Sequence, residues 1–211
     1  MKHKGILLVI SGFSGAGKGT LMKRLLQEFD QYSLSTSMTT RNPRIGEVNG
    51  KEYFFVTKEE FQKKILEDGF IEYASYCDNY YGTPKDYVEQ QLEQGKDVIL
   101  EIEIQGARKI KEIIPSALLL FVMPPSADEL KKRLTIRGTE TEDVINNRLS
   151  IAYEESKGIE DYDYIVINDN LDQCIQDLQK IVLAAHNTPF RNEEFIEKIR
   201  EELKGFSKGE K

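Results

Sequence analysis

The sequence predicts an α/β fold in three layers, with a mostly parallel sheet flanked by helices, and three observations predict it. Short apolar runs alternate with helical patterns over most of the chain, the order produced by parallel strands joined through crossover helices. A glycine-rich loop stands directly between the first apolar run and the first amphipathic helix. Residues 32–82 break the alternation with a stretch rich in Tyr, Ser, Thr and Asn, which predicts a small mixed α+β insertion.

Residues 5–10 read as the first buried strand. The helix after it carries Leu21, Met22, Leu25, Leu26 and Phe29 on one stripe at helical spacing. Inside the insertion, strand-like pieces at 52–56 and 70–73 flank one helix. That helix opens at Thr57 with Glu60 three residues on, a capping box in which each side chain satisfies an orphan backbone N–H. Thr83-Pro84 predicts an N-cap followed by proline at the first helical position, the helix running to Gly95. Residues 98–104 form the next strand, 106–114 a short helix, and 117–123 a fully apolar strand. Ser126 with Glu129 makes a second capping box, opening a helix with Leu130 and Leu134 inward and Arg133 near its end.

The polar stretch 137–143 predicts an exposed flap, or lid. A helix with Val144, Ile145, Leu149 and Ala152 on one face follows it. Residues 164–168 are the last strand and 171–187 the closing helix. Beyond Thr188-Pro189, residues 192–204 form a charged amphipathic helix (Phe195, Ile196, Ile199, Leu203), and 205–211 are expected to fray. The expected organisation is one domain, 1–187, built from a core (1–31 and 83–187), the insertion 32–82 and a lid at about 137–143, with a helical extension at 188–211.

With 211 residues, 39% hydrophobic and 31% charged, the chain suits one compact α/β unit better than two full domains. A formal net charge of −7 argues against a sequence-independent grip on DNA or RNA. A small phosphorylated ligand needs only a local cluster of arginines. No apolar run approaches the roughly 20 residues of a membrane span, and the first strand is too short to be a signal peptide. Cys77 and Cys174 show no CxxC or zinc spacing, so they read as packing or surface thiols and the cytoplasm is the expected setting. His3 and His186 read as surface residues.

The loop Gly12-Phe13-Ser14-Gly15-Ala16-Gly17-Lys18-Gly19-Thr20 matches a P-loop in its strand–loop–helix context. Its glycines let successive N–H groups turn inward onto phosphate oxygens, the helix start adds a positive dipole end, and Lys18 supplies a mobile charge. Gly12, Ser14, Gly15, Ala16, Gly17, Lys18, Gly19 and Thr20 are therefore the expected nucleoside triphosphate contacts. The common pattern places Ser or Thr directly after the lysine. Here Gly19 intervenes, and Thr20 is left to meet phosphate or a magnesium-bound water. The loop alone does not separate a GTPase, an ATPase and a kinase.

A second phosphate site separates them. Arg41 and Arg44 flank Pro43, so two guanidinium groups can converge on one anion with bidentate bonds. Glu72 ends an aromatic-rich strand, and Tyr80-Tyr81-Gly82-Thr83 follows closely. A carboxylate accepts two hydrogen bonds from the N1–H and exocyclic amine of guanine, a donor pair that adenine lacks. Within 98–104, Glu101 and Glu103 alternate with apolar residues and share one face, which makes a magnesium ion a natural partner. Arg133, Arg137 and Arg148 bracket the flap, where positive charge can meet transferring phosphoryl oxygens.

The segment Thr39-Thr40-Arg41-x-Pro43-Arg44-x-Gly46-Glu47-x-x-Gly50-x-x-Tyr53 resembles the GMP-binding signature of the guanylate kinase family. The resemblance extends through residues 79–83, 100–106 and 137–140, and covers 5–187. It implies a P-loop fold with a GMP-binding insertion and a lid, ATP and Mg2+ as co-substrate and cofactor, and transfer of the γ-phosphoryl group to GMP. By the same resemblance Arg41, Arg44, Tyr53 and Tyr81 hold the GMP phosphate, and Ser37, Glu72 and Thr83 read the base. Glu103 lies near the ribose, while Lys18, Arg41, Arg133, Arg137 and Arg148 carry catalysis. Thr20 and Glu101 would meet the metal through water. Phe13, Gly19 and Glu103 depart from the family's usual proline, serine or threonine, and aspartate; the last two bear on metal coordination.

Three other readings fit the sequence less well. A kinase acting on AMP fits Glu72 with Thr83 poorly, a non-catalytic scaffold should have lost the loop glycines or Lys18, and a regulatory GTPase should carry a separate guanine-reading motif after its last strands. The implied partners are small nucleotides, with no nucleic acid and no membrane, in a monomer or homodimer.

Overall fold

The computed structural model describes residues 4–76, 78–136 and 141–207. The chain opens with β1 (Leu7–Gly12), α1 (Lys18–Glu28) and β2 (Tyr32–Leu34). The segment β3 (Met38–Thr39), β4 (Phe54–Phe55), α2 (Lys58–Leu66), β5 (Phe70–Tyr76) and β6 (Asn79–Pro84) follows. Regular alternation then resumes: α3 (Lys85–Glu93), β7 (Asp97–Glu101), α4 (Ile104–Ile113), β8 (Leu118–Met123), α5 (Ala127–Ile136), α6 (Glu142–Ser156), β9 (Tyr164–Ile167) and α7 (Leu171–His186). A 3-10 turn at Pro189–Arg191 leads into α8 (Glu193–Ser207).

The main sheet has the order β2-β7-β1-β8-β9, with every pairing parallel. β1 lies at its centre, Leu8 facing Ile99 on one side and Leu118 on the other. A strand covered on both faces reads as a continuous apolar run because both side-chain rows are buried. Alternation along β1 sends Leu8 and Ile10 to a layer with Leu21 and Leu25 of α1, Leu130 of α5 and Leu178 of α7. Leu7 and Val9 go to the opposite layer, with Val88 of α3 and Ala107 and Ile110 of α4. The three layers expected from the sequence follow from that single alternation.

The second sheet, β4-β3-β6-β5, is mixed: β3 runs parallel to β4 and antiparallel to β6, and β5 and β6 form an antiparallel pair. Phe61 of α2, 0% exposed, fastens the helix to this sheet by stacking on Phe70 at 4.4 Å and on Tyr80 at 5.3 Å between ring centroids. The capping box is present as expected, Glu60 N–H donating to Thr57 Oγ1 at 3.1 Å and Thr57 N–H to Glu60 Oε2 at 2.8 Å. Tyr32–Leu34 pairs with β7 in the main sheet, although the sequence assigns it to the insertion.

Several expectations need correction. Thr83 does not cap α3; it stays in β6, and Pro84 occupies the N-cap position, because the Thr83 hydroxyl donates to Glu72 instead. β7 ends at Glu101, and Glu103 stands at the N-cap position of α4, so the two carboxylates do not share a strand face. Ser11 Oγ donates to the Ile102 carbonyl at 2.6 Å, which draws the chain out of the sheet there. Ser126 does accept from Glu129 N–H at 3.1 Å, but the Glu129 carboxylate accepts from Arg133 Nε at 2.8 Å. Val144 is exposed rather than inward, and α8 extends past residue 204 with Phe195, Ile199 and Leu203 exposed.

His186 is not a plain surface residue. Its Nε2 lies 2.9 Å from Asp97 Oδ1, and that same carboxylate oxygen accepts the Ile6 N–H at 2.8 Å. Asp97 is 1% exposed, so the end of α7 is tied to the amino end of the sheet. Cys174 is buried in packing as expected, whereas Cys77 and His3 lie outside the described residues. Among the described residues, no helix is long and apolar enough to cross a membrane.

Candidate active site

β1 and β7 end side by side, at Gly12 and Glu101, and a cavity of about 510 Å³ opens at those carboxyl ends. Ligands of parallel sheets bind at this edge, because the loops leaving the strands diverge there. On the main-sheet side the lining includes Gly12, Ser14, Lys18, Glu101 and Glu103; on the second-sheet side it includes Ser37, Tyr53 and Thr83.

The glycine-rich loop turns through Gly15 and Gly17, with φ of 92° and 90°, a region that side chains with a Cβ rarely occupy. Gly17 is the N-cap of α1, so the first N–H groups of that helix lie at the loop's end, where an anion is favoured. Lys18 folds back over the loop, its ammonium donating to the carbonyls of Gly12 at 2.7 Å and Phe13 at 3.2 Å. Gly19 faces open space, and Thr20 is exposed on the first turn of α1. Ala16 is buried. Asn168, just beyond β9, donates from Nδ2 to its carbonyl at 2.8 Å.

Across the cavity, Thr83 is 1% exposed and its hydroxyl donates to Glu72 Oε1 at 2.8 Å. A β-bulge between Phe70 and Glu72 brings Glu72 opposite Thr83. Burial pushes the Glu72 carboxyl above its ordinary range, opposed by the Thr83 hydrogen bond and by the charge of Lys109. Glu72 itself lines a different cavity, of about 940 Å³, and the Thr83 hydroxyl is what connects it to the smaller one. Tyr53 and Tyr81 pack edge to face at 6.1 Å.

Arg41 makes a bidentate pair with Glu47, Nη1–Oε2 and Nη2–Oε1 both 2.9 Å, and lies over the Tyr53 ring at 5.3 Å. Glu47 also accepts the Arg44 N–H at 2.6 Å. Arg41 holds the Glu47 carboxyl below its ordinary range, and the Arg44 N–H reinforces this. Arg44 itself is exposed. Glu47, which the sequence marks only as part of the signature, thus orients the Arg41 guanidinium and holds the Arg44 backbone N–H.

Arg133 and Arg148, like Arg41 and Arg44, stand outside the lining of the smaller cavity. Arg133 on α5 pairs with Glu129, and Arg148 is half-buried on α6. Arg137 and residues 138–140 lie outside the described residues. Glu155 of α6, which the sequence reading missed, does line that cavity. Burial pushes its carboxyl up, the Lys18 ammonium draws it down, and the Glu103 carboxylate adds to the upward push. Nothing in the run Tyr153-Glu154-Glu155-Ser156 distinguishes that glutamate from its solvated neighbour. Among the described residues, no group of three or more His, Cys, Asp or Glu forms a ready-made metal cage.

Residues 4–185 match the family model described as guanylate kinase. Similar proteins named guanylate kinase include one from Caldanaerobacter subterraneus subsp. tengcongensis, 49% identical over 202 residues and covering 96% of this chain and 98% of its own. A second, from Clostridioides difficile, is 51% identical over 201 residues, with 95% and 98% covered. A third, from Bacillus subtilis, is 49% identical over 187 residues, with 88% and 92% covered. The crystal structure of a guanylate kinase from Anaplasma phagocytophilum superposes with a TM-score of 0.68 at 32% identity, covering 90% of each chain.

Proposed function

The chain belongs to the guanylate kinase family, and from that premise we propose that it transfers the γ-phosphoryl group of ATP to GMP, giving ADP and GDP. The observation that carries this reading is the shared cavity, with Lys18 of the glycine-rich loop on one side and Ser37, Tyr53 and Thr83 of the second sheet on the other. A donor and an acceptor bound at the two sides would meet over the carboxyl ends of β1 and β7.

On the donor side, the residues from Gly12 to Thr20 wrap the polyphosphate. Lys18 leaves its two carbonyl partners for the β- and γ-phosphates. On the acceptor side, Arg41, Arg44, Tyr53 and Tyr81 hold the GMP phosphate, and Glu47 keeps Arg41 extended toward it. Glu72 accepts from guanine N1–H and the exocyclic amine, Thr83 and Ser37 complete the base contacts, and Glu103 meets the ribose. Arg133, Arg137 and Arg148, with a lid at 137–143, bring positive charge to the transferring oxygens and exclude water. The GMP phosphate is already an anionic nucleophile, so no general base is required.

The residues present fit a magnesium ion held largely by phosphate and water. Glu101 lines the cavity and Thr20 is exposed beside the loop, and magnesium commonly takes only one or two carboxylates. Bound there, it would neutralise charge on the polyphosphate. The remaining proposals are a cytoplasmic enzyme of purine nucleotide metabolism recycling GMP and dGMP, a monomer or homodimer, with no nucleic-acid or membrane partner. Purified protein given ATP, Mg2+ and GMP should form ADP and GDP in equal amounts by chromatography. ADP formed without GDP would mean hydrolysis and overturn the reading.

A further inference from the structure

Asn168 has a polar side chain, is 7% exposed, and lies just past the carboxyl end of β9, the edge strand of the main sheet. Its backbone N–H donates to the Met123 carbonyl at 2.8 Å, which fixes it to the end of β8. Its side-chain Nδ2 donates to the Ala16 carbonyl at 2.8 Å across 152 positions of sequence. That carbonyl can only accept, so the amide must present its NH2 to it. The same nitrogen packs against Gly17, where an added Cβ would come within 2.5 Å of it. Two contacts thus converge on one peptide unit, Ala16–Gly17.

The Ala16–Gly17 peptide is trans, as are the others described. In a planar trans peptide the C=O and N–H point in opposite directions. Holding the Ala16 carbonyl toward Asn168 therefore turns the Gly17 N–H away from Asn168. Gly17 has φ of 90°, a conformation in which glycine has neighbouring alternatives, so an outside restraint on this peptide has something to select.

We propose that Asn168 is a positioning residue that fixes the Ala16–Gly17 peptide so that the Gly17 N–H meets the polyphosphate of the donor nucleotide. This rests on the reading of the loop as the ATP phosphate site. Asn168 touches the loop from outside and acts through its backbone, so its effect belongs to the phosphates and not to GMP.

The test is isothermal titration of the full chain and its Asn168→Ala variant with inorganic tripolyphosphate, ADP and GMP. Asn168→Ala is expected to weaken tripolyphosphate and ADP alike by about 10-fold, with GMP held within about two-fold, the loss of one oriented hydrogen bond. The KM for ATP should rise while the KM for GMP stays. A loss with ADP but not tripolyphosphate would put the amide on the base and overturn the proposal. So would unchanged binding of both, or an equal loss for all three ligands, which a general structural role would produce. Should Asn168→Ala not fold, Asn168→Ser gives the same comparison with a shorter side chain that does not span the gap. Failure of the unaltered chain to bind tripolyphosphate would overturn the phosphate-loop reading itself, an outcome separate from normal binding by every variant.

Discussion

Replacing Glu72 with glutamine separates the proposed base-reading role of that side chain from any role in the fold. Gln has the same shape, and its carbonyl can still accept the Thr83 hydroxyl now 2.8 Å from Glu72 Oε1, so the β5–β6 pairing should survive. Burial pushes the Glu72 carboxyl up, meaning that the charged form is disfavoured in the unliganded protein. A neutral amide removes that penalty, and Tm should hold or rise slightly. Guanine, however, would meet one acceptor and one donor in place of two acceptors. Losing a hydrogen bond to a charged group costs about 1.5–3 kcal/mol, so kcat/KM for GMP should fall about 10- to 150-fold. The assay is coupled ADP release over a range of GMP, with a thermal melt on the same preparation. A kcat/KM within about three-fold of the unaltered enzyme, well below that range, would refute the reasoning, as would a fall in Tm that accounts for the lost activity.

Further outcomes follow from the same geometry. Because the Glu72 carboxyl is raised by burial, acidification should weaken GMP binding at a higher pH than an ordinary glutamate would. On the proposed reading the charged form binds guanine, so affinity should fall as pH drops through that raised pKa; a GMP affinity flat into the ordinary carboxylate range would contradict this. The linked stability runs the other way. A raised carboxyl contributes stability that is full below the unfolded pKa and is lost as pH climbs through the folded one. Asp97→Ala strips the partner from the buried Ile6 N–H and from His186 and should cost about 1–3 kcal/mol in urea unfolding. Its KM values should stay unchanged, since it lies at the opposite end of the sheet from the loop. Phe61→Ala empties a fully buried, doubly stacked position and should cost about 3–5 kcal/mol. Its residual activity should show KM for GMP raised more than KM for ATP, because the loss falls on the second sheet.

What the sequence discloses and what it conceals divide by range. β8 is apolar throughout because both its faces are covered, and no partner need be known to read it. The Thr57–Glu60 box closes within one helical turn, so four residues suffice to see it. Thr83 deceived because its partner is Glu72, eleven positions back across a bulge, while Thr-Pro is a sound local capping signal. Period-two alternation puts Glu103 on a strand, yet the strand ends at Glu101, just before Ser11 Oγ donates to the Ile102 carbonyl. His186 with Asp97 and Asn168 with Ala16 are contacts between distant segments, and neither segment carries any local mark of the other. The glycine-rich loop and the Arg41-Asn42-Pro43-Arg44 segment stand out in the sequence because each is a run of contiguous residues. Glu155 does not, because only the packing of α6 sets it apart from Glu154.

The most direct single measurement is coupled ADP release with ATP and Mg2+ and, in turn, GMP, AMP, UMP and CMP as acceptor. Turnover with GMP, and background rates with the other three, is the expected result. Turnover with AMP in place of GMP would contradict the reading of guanine by Glu72 and Thr83, and no turnover with any acceptor would contradict phosphoryl transfer itself.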